Sequence, residues 1–125
     1  MLAGTGTGMA PLLAVARHAL QRQHRGAIVL VHGAAGPGGL YLGSDLPARL
    51  AGAPGQVTWR TCRRSEGEDI VPAVLAGLAG LGGPPAGVTA CLCGGPGSVQ
   101  RMRRALFLAG MSLSDIMADQ FTPAV

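Results

Sequence analysis

The run Ala3-Gly4-Thr5-Gly6-Thr7-Gly8-Met9-Ala10-Pro11 places three glycines at alternate positions shortly before a proline. Glycine carries no Cβ, so a turn built this way leaves its backbone N–H groups open to close approach by a ligand. Pro11 presets φ for a first helical turn, where its missing N–H has no intrahelical partner to lose. The residues that follow, Leu12 to Leu20, bring apolar side chains back at helical spacing. The unit reads as strand end, glycine loop and helix N-terminus, which converges amide hydrogens and the positive end of a helix dipole on one spot. A nucleotide pyrophosphate suits that spot, held along Gly4 to Pro11. A turn that only joins a strand to a helix would carry the same glycines.

A second stretch, Cys91-Leu92-Cys93-Gly94-Gly95-Pro96-Gly97-Ser98, repeats the arrangement of apolar strand, glycine-proline turn and helix start. In open α/β sheets ligands bind at the carboxyl ends of strands, where such loops meet. Two of them in one small sheet predict a single elongated ligand lying across both.

Competing chemistries fit less well. A Walker A loop needs Gly-Lys-Ser/Thr, and the chain contains no lysine. The ordinary dinucleotide fingerprint would need its third glycine where Met9 stands, and an acid after the next strand, where Val31-His32-Gly33 has none before Asp45. Cys91 and Cys93 share a face, but the three histidines lack ligand spacing, so no metal site is expected. Ser98 lies in Gly-Pro-Gly-Ser rather than in Gly-x-Ser-x-Gly, which removes the nucleophile elbow.

These loops need a scaffold, and 125 residues suffice for one domain with a packed core. Apolar residues are 48% of the chain and aromatics only 3%, so the core must be built from Ala, Leu and Val. All ten basic residues are arginine, grouped at Arg60/Arg63/Arg64 and Arg101/Arg103/Arg104. No aromatic residues interleave for base stacking, so no nucleic-acid partner is expected despite a net charge of +4. No apolar run reaches a membrane-spanning length, and the N-terminus has no basic signal-peptide region. An odd count of three cysteines argues against a disulfide framework, and these features together predict a cytoplasmic protein without membrane contact.

Strand and helix patterns alternate, which predicts an open parallel α/β sheet. Strands are expected at Ala27–Val31, Val57–Thr61, Val88–Cys93 and Ile116–Asp119. Helices are expected after Pro11, from Asp45 with Ser44 as cap, from Ile70 to Leu81 before Gly82-Gly83-Pro84-Pro85, and from Ser98 to Ala109.

Taken together, Gly6-Thr7-Gly8-Met9-Ala10-Pro11 and Cys93-Gly94-Gly95-Pro96 resemble the pyridine-nucleotide domain of the ferredoxin–NADP reductase superfamily. His32-Gly33-Ala34-Ala35 with Leu40-Tyr41-Leu42 and Asp45-Leu46 is similar to the second βα unit of its oxygenase-reductase branch. The closing segment, Phe107 to Met111 and Asp115 to Phe121, is similar to that branch's end. The resemblance covers essentially the whole chain and implies one NAD(P)-binding domain over residues 1–125. The implied fold is a five-stranded parallel sheet of order 3-2-1-4-5 with helices on both faces. Of the central first strand only Met1-Leu2-Ala3 would remain.

The resemblance also implies roles. Gly4, Gly6, Thr7, Gly8, Met9 and Pro11 would hold the pyrophosphate and the nicotinamide-side ribose. Cys93, Gly94, Gly95 and Pro96 would line the nicotinamide, with the Cys93 sulfur near the carbon that gives up hydride. Phe121 would cover a flavin face, with Asp119 the acidic position two residues before it. Cys93 and Phe121 are thus the residues nearest the chemistry, whereas Cys91 and Cys62 read as small buried hydrophobes. Arg63 and Arg64 follow the third strand, where either could meet a 2′-phosphate or stand as solvated loop charge, so NADH and NADPH both remain open. Ala35 stands where many relatives carry arginine.

The implied activity is that of a reductase component, a flavin-dependent NAD(P)H oxidoreductase passing hydride from nicotinamide to FAD or FMN. The flavin would be bound mainly by a domain or subunit outside these 125 residues, with ferredoxin or an oxygenase as a downstream partner. The chain alone would be inactive, either a fragment, a chain with a misplaced start, or a module needing a separate flavoprotein. A non-catalytic dinucleotide-binding module is the alternative reading.

Overall fold

The computed structural model describes all residues except 44, 51, 53, 84–86 and 122–125, and leaves the side chains of residues 37 and 47 aside. The proposed cap Ser44 and the prolines at 84 and 85 therefore lie outside the described residues. Five strands alternate with helices: β1 (Leu2–Thr5), α1 (Met9–Gln21), β2 (Ile28–Ala34), α2 (Leu46–Arg49), β3 (Val57–Arg63), α3 (Ile70–Gly80), β4 (Ala90–Gly94), α4 (Pro96–Leu108) and β5 (Ile116–Gln120). All neighbours pair in parallel, in the order β3-β2-β1-β4-β5. This is the order the resemblance implied.

Alternation along each strand sends side chains to two cores, because successive Cβ atoms point to opposite faces. Ala3, Val29, Val31 and Leu92 face α3 and α4, where Val74, Leu78, Val99, Met102 and Leu106 complete one cluster. Leu2, Ile28, Leu30 and Cys93 face the other way, against Met9, Leu12, Leu13 and Ala16 of α1 and Leu46 of α2. A central strand buried on both faces must be apolar throughout or carry glycine, and Leu2-Ala3-Gly4 meets that condition.

Element boundaries differ from expectation where tertiary pairing overrides local signals. β1 runs on through Gly4 and Thr5, because β2 and β4 flank it and pair Gly4 with His32 and Cys93. β3 continues to Arg63, two residues past Thr61, because its partner β2 extends to Ala34. α4 begins at Pro96 rather than Ser98, since Gly95 takes the extended cap position and proline is suited to the first helical turn. β4 starts at Ala90, two residues later than expected. These shifts bring the two glycine turns to adjacent strand ends.

Candidate functional site

The strand order reverses direction between β1 and β4, since the chain builds outward through β2 and β3 and then returns across the sheet. At such a switch point the loops leave toward opposite faces and open a crevice at the carboxyl edge. Here α1 leaves on one face and α4 on the other. Both glycine motifs sit at this point.

The two turns interlock. A Cβ added at Gly8 would lie 2.5 Å from the Cys93 carbonyl oxygen and 2.8 Å from the Gly94 nitrogen. A Cβ on Gly94, whose φ is +142°, would overlap the Thr5 hydroxyl. Gly4 in turn packs its α-carbon against the Gly8–Met9 peptide, where a Cβ would come within 3.0 Å. Of Gly4, Gly6 and Gly8, only Gly6 has free space beside it, with φ at +54° and nothing within 4 Å of its absent Cβ. The three glycines therefore differ in what their missing side chains make room for. At Gly4 and Gly8 it is the protein's own backbone, whereas Gly6 has open space.

Gly6 to Gly8 form a tight 3-10 turn that runs directly into α1. Met9 is fully buried, and its N–H is already bonded to the carbonyls of Gly6 and Thr7, so it anchors the turn in the core. Thr7 and Pro11 are exposed at the helix start. The amide hydrogens that begin a helix have no intrahelical partner, so this turn presents donors at the positive end of α1.

His32, at the end of β2, is fully buried and its Nε2 lies 3.0 Å from the Gly6 carbonyl oxygen. A carbonyl only accepts, so Nε2 carries the proton and donates. The other ring nitrogen, Nδ1, is buried without a hydrogen-bond partner among the described residues. Tyr41 meets the ring edge-on at a centroid distance of 5.2 Å, and Trp59 lies 5.8 Å away. Burial lowers the His32 pKa from its usual 6.5, only partly offset by the bond to Gly6. Neutral imidazole thus fixes the orientation of the open glycine.

Thr5 and Gly6 also line a cleft of about 480 Å³ on the α3–α4 side. Gly33 to Ala35, Cys62, Arg64, Glu68, Asp69, Ser98 and Arg101 complete its polar and backbone wall. The two candidate arginines are separated by the fold. Arg64 lines the cleft, while Arg63 turns to Glu66, with Nη1 3.1 Å from its carboxylate. The Arg63 backbone N–H also donates to Glu68. Asp69 caps α3 by accepting the Val71 N–H, and its carboxylate meets Arg101 Nη2 at 2.5 Å. The Val71 bond is the largest cause lowering the Asp69 pKa, with Arg101 adding to it.

The remaining expected residues gather at the end of β4. Cys93 is 2% exposed within the α1-side core, and its pKa is raised first by burial and then by the Asp119 carboxylate. It is a neutral thiol. Asp119 pairs in register with Cys93 across β4 and β5. The Phe121 N–H donates to the Gly94 carbonyl at 2.8 Å, which holds that exposed aromatic beside the glycine turn. Gly95 and Pro96 open α4. Cys62 is buried beside Gly33, and Cys91 is half-buried on the same face as Cys93. No group of three potential metal ligands occurs among the described residues.

Sequence reasoning did not single out His32, Asp69, Ser98 or Arg101 as site residues. Ser98 and Arg101 are three apart in the first turns of α4, a spacing that puts both on one face. Arg101 was masked by Arg103 and Arg104, which continue the same basic run.

An open parallel sheet with two interlocked glycine turns at its switch point defines a nucleotide-binding domain of the α/β class. The model of the oxidoreductase NAD-binding domain matches residues 1–104, and the chain belongs to that family. Among solved structures it is similar to the cytochrome P450 reductase GcoB of Amycolatopsis, at 28% identity and a TM-score of 0.72. That match covers 98% of this chain and 37% of the reductase. It also shares its fold with the flavohemoglobin of Malassezia yamatoensis, solved with bound FAD and heme, at 20% identity and a TM-score of 0.75. There the match covers 97% of this chain and 31% of the flavohemoglobin. The chain thus spans about a third of the solved proteins it matches. No curated protein matches it by sequence.

Proposed function

We propose that this chain is the NAD(P)H-binding domain of a flavin-dependent reductase, with the flavin bound mainly by another domain or subunit. The observation that carries the reading is the pair of interlocked turns at the switch point, with Gly6 open to the cleft. A dinucleotide fits the residues present: a glycine turn that runs into the N-terminus of α1, a cleft of suitable size, and guanidinium groups along it. When bound, the nicotinamide supplies a hydride from its C4 to flavin N5, and the cofactors rather than the protein carry that chemistry. Family membership and the partial span of GcoB support a flavin supplied from elsewhere.

The chain's residues then bind and orient. Gly6, Thr7 and Gly8 donate backbone amides to the pyrophosphate, while Met9 and Pro11 hold the turn in helical form. Cys93, Gly94, Gly95 and Pro96 shape the nicotinamide end, with the neutral Cys93 thiol a polarizable contact and not a nucleophile. Phe121 covers the flavin side of that end and Asp119 flanks it. Arg64 is the residue placed to meet a 2′-phosphate. Ferredoxin or an oxygenase would accept the electrons, in the cytoplasm; among the described residues no helix is long and apolar enough to cross a membrane.

The test has two stages. Fluorescence titration with NADH and NADPH measures whether the 125-residue chain binds either coenzyme. NAD(P)H oxidation with ferricyanide is then followed with and without a related flavin-binding barrel fused upstream. Binding by the chain with turnover only in the fusion is expected. Turnover by the chain alone with copurified flavin would overturn the division of labour. Binding without turnover in any fusion would favour the non-catalytic module.

A further inference from the structure

We infer that Arg101 is a pyrophosphate-binding residue held in reserve by Asp69, and that a bound coenzyme takes over its guanidinium. The inference rests on the reading of the cleft as a dinucleotide site. Three observations carry it. Arg101 and Asp69 both line the cleft, together with Thr5 and Gly6 of the β1 turn and Ser98 at the start of α4. They are bonded to each other across two helices, Nη2 to Oδ2 at 2.5 Å. Their side chains remain 57% and 42% exposed, so the pair is weakly held and readily exchanged.

Electrostatics gives the direction of exchange. The cleft wall carries two carboxylates, Glu68 and Asp69, and two guanidinium groups, Arg64 and Arg101. Glu68 accepts the Arg63 backbone N–H, and Asp69 accepts the Val71 N–H through its other oxygen. Asp69 therefore keeps a partner when Arg101 leaves, and its role as helix cap survives the exchange. A diphosphate carries more charge than one carboxylate and accepts in the forked geometry a guanidinium favours. Arg64 lies beyond the end of β3, three strands from β4, which places the two cations at different ends of an extended ligand. Arg101 shares its end with Gly6 and Ser98. That end is where the amides of the β1 turn converge, so the pyrophosphate is the group it meets.

Asparagine caps helices as well as aspartate does, so Asp69→Asn removes the competing charge and keeps the cap. NADH and NADPH affinities of the full chain are measured by fluorescence titration for wild type, Asp69→Asn, Arg101→Gln and the double variant. Circular dichroism confirms that each is folded. Arg101→Gln is expected to weaken both coenzymes about tenfold, the usual worth of a charge-assisted hydrogen bond. Asp69→Asn is expected to tighten both severalfold, and the double variant to lose that gain. A loss confined to NADPH would overturn the pyrophosphate assignment. Unchanged affinity in Arg101→Gln, with wild type binding normally, would overturn the inference while leaving the dinucleotide reading intact. Failure of wild type to bind either coenzyme would instead overturn the dinucleotide reading, and the inference with it.

Discussion

Gly8→Ala is the most direct test of the interlocked turns, because it adds one methyl group and no charge. Gly8 has φ −61° and ψ −17°, ordinary helical values that alanine adopts without strain. On backbone grounds alone the substitution would stabilise by about 0.4–1 kcal/mol, since alanine loses less entropy on folding. Packing reverses the sign. The new Cβ would sit 2.5 Å from the Cys93 oxygen and 2.7 Å from its carbonyl carbon, about 0.9 Å inside ordinary contact. Both are backbone atoms of β4, which is hydrogen-bonded to β1 on one side and β5 on the other. Neither side can swing away as a flexible side chain would. The cost belongs at the upper end of the overpacking range, about 3 kcal/mol. The net loss is then about 2 kcal/mol.

Gly6→Ala is the matched control. It adds the same methyl at φ +54° into open space, so its cost is backbone strain of about 1–2 kcal/mol, partly offset by the same entropy gain. Urea unfolding monitored by circular dichroism should rank wild type above Gly6→Ala and Gly6→Ala above Gly8→Ala. For a domain of this size the Gly8→Ala loss corresponds to a fall in melting temperature of roughly 8 °C. Coenzyme binding should rank the variants differently. Gly6→Ala narrows the open approach, whereas any folded Gly8→Ala retains it. A Gly8→Ala protein as stable as wild type would refute the close approach of the two turns.

Three further outcomes are expected. Arg64→Ala should weaken NADPH by about 1–3 kcal/mol and spare NADH, while Arg63→Ala, already paired with Glu66, should leave both unchanged; equal losses for the two coenzymes would assign Arg64 to general attraction. His32 is held neutral by burial, so the unfolded chain takes up the proton first and stability should fall as pH drops below about 6.5, by at most about 1.4 kcal/mol per unit. His32→Gln should flatten that slope between pH 7.5 and 5.5 in urea titrations, and an unchanged slope would remove His32 as its source. In the fusion with a flavin barrel, Cys93→Ala should slow hydride transfer in stopped flow more than it weakens NAD(P)H binding; the reverse pattern would leave Cys93 as a packing residue.

The sheet was legible because its strands are short apolar runs broken by Gly, Pro and polar turns, and the two glycine motifs fall at strand-to-helix junctions. What pattern could not show was which glycine has open space beside it and which ones pack on backbone. Gly4, Gly6 and Gly8 are identical in type and evenly spaced, yet they differ in what their missing side chains would meet. That difference comes from β4, far away in sequence. His32 was unreadable for a related reason: its partner is a backbone carbonyl, and a carbonyl leaves no trace in residue identity. Arg63 and Arg64 could not be ranked because the separating factor is where Glu66 and Glu68 fold back.

The contact between the turns also bears on how a small sheet can hold a binding loop rigid. A glycine-rich loop pays heavily in entropy when it is ordered, which argues for a loop that stiffens only around its ligand. Here the ordering is done by the protein. Gly8 rests on the Cys93–Gly94 peptide, Gly94 rests on Thr5, and His32 holds the Gly6 carbonyl. All three contacts involve backbone atoms whose positions follow from the pairing of Gly4 with Cys93 and His32. A one-residue slip of β1 against its two neighbours would break all three together. On the proposed function, the donors at the start of α1 would thus be aimed before a coenzyme arrives, with the ordering cost met by folding instead of by binding.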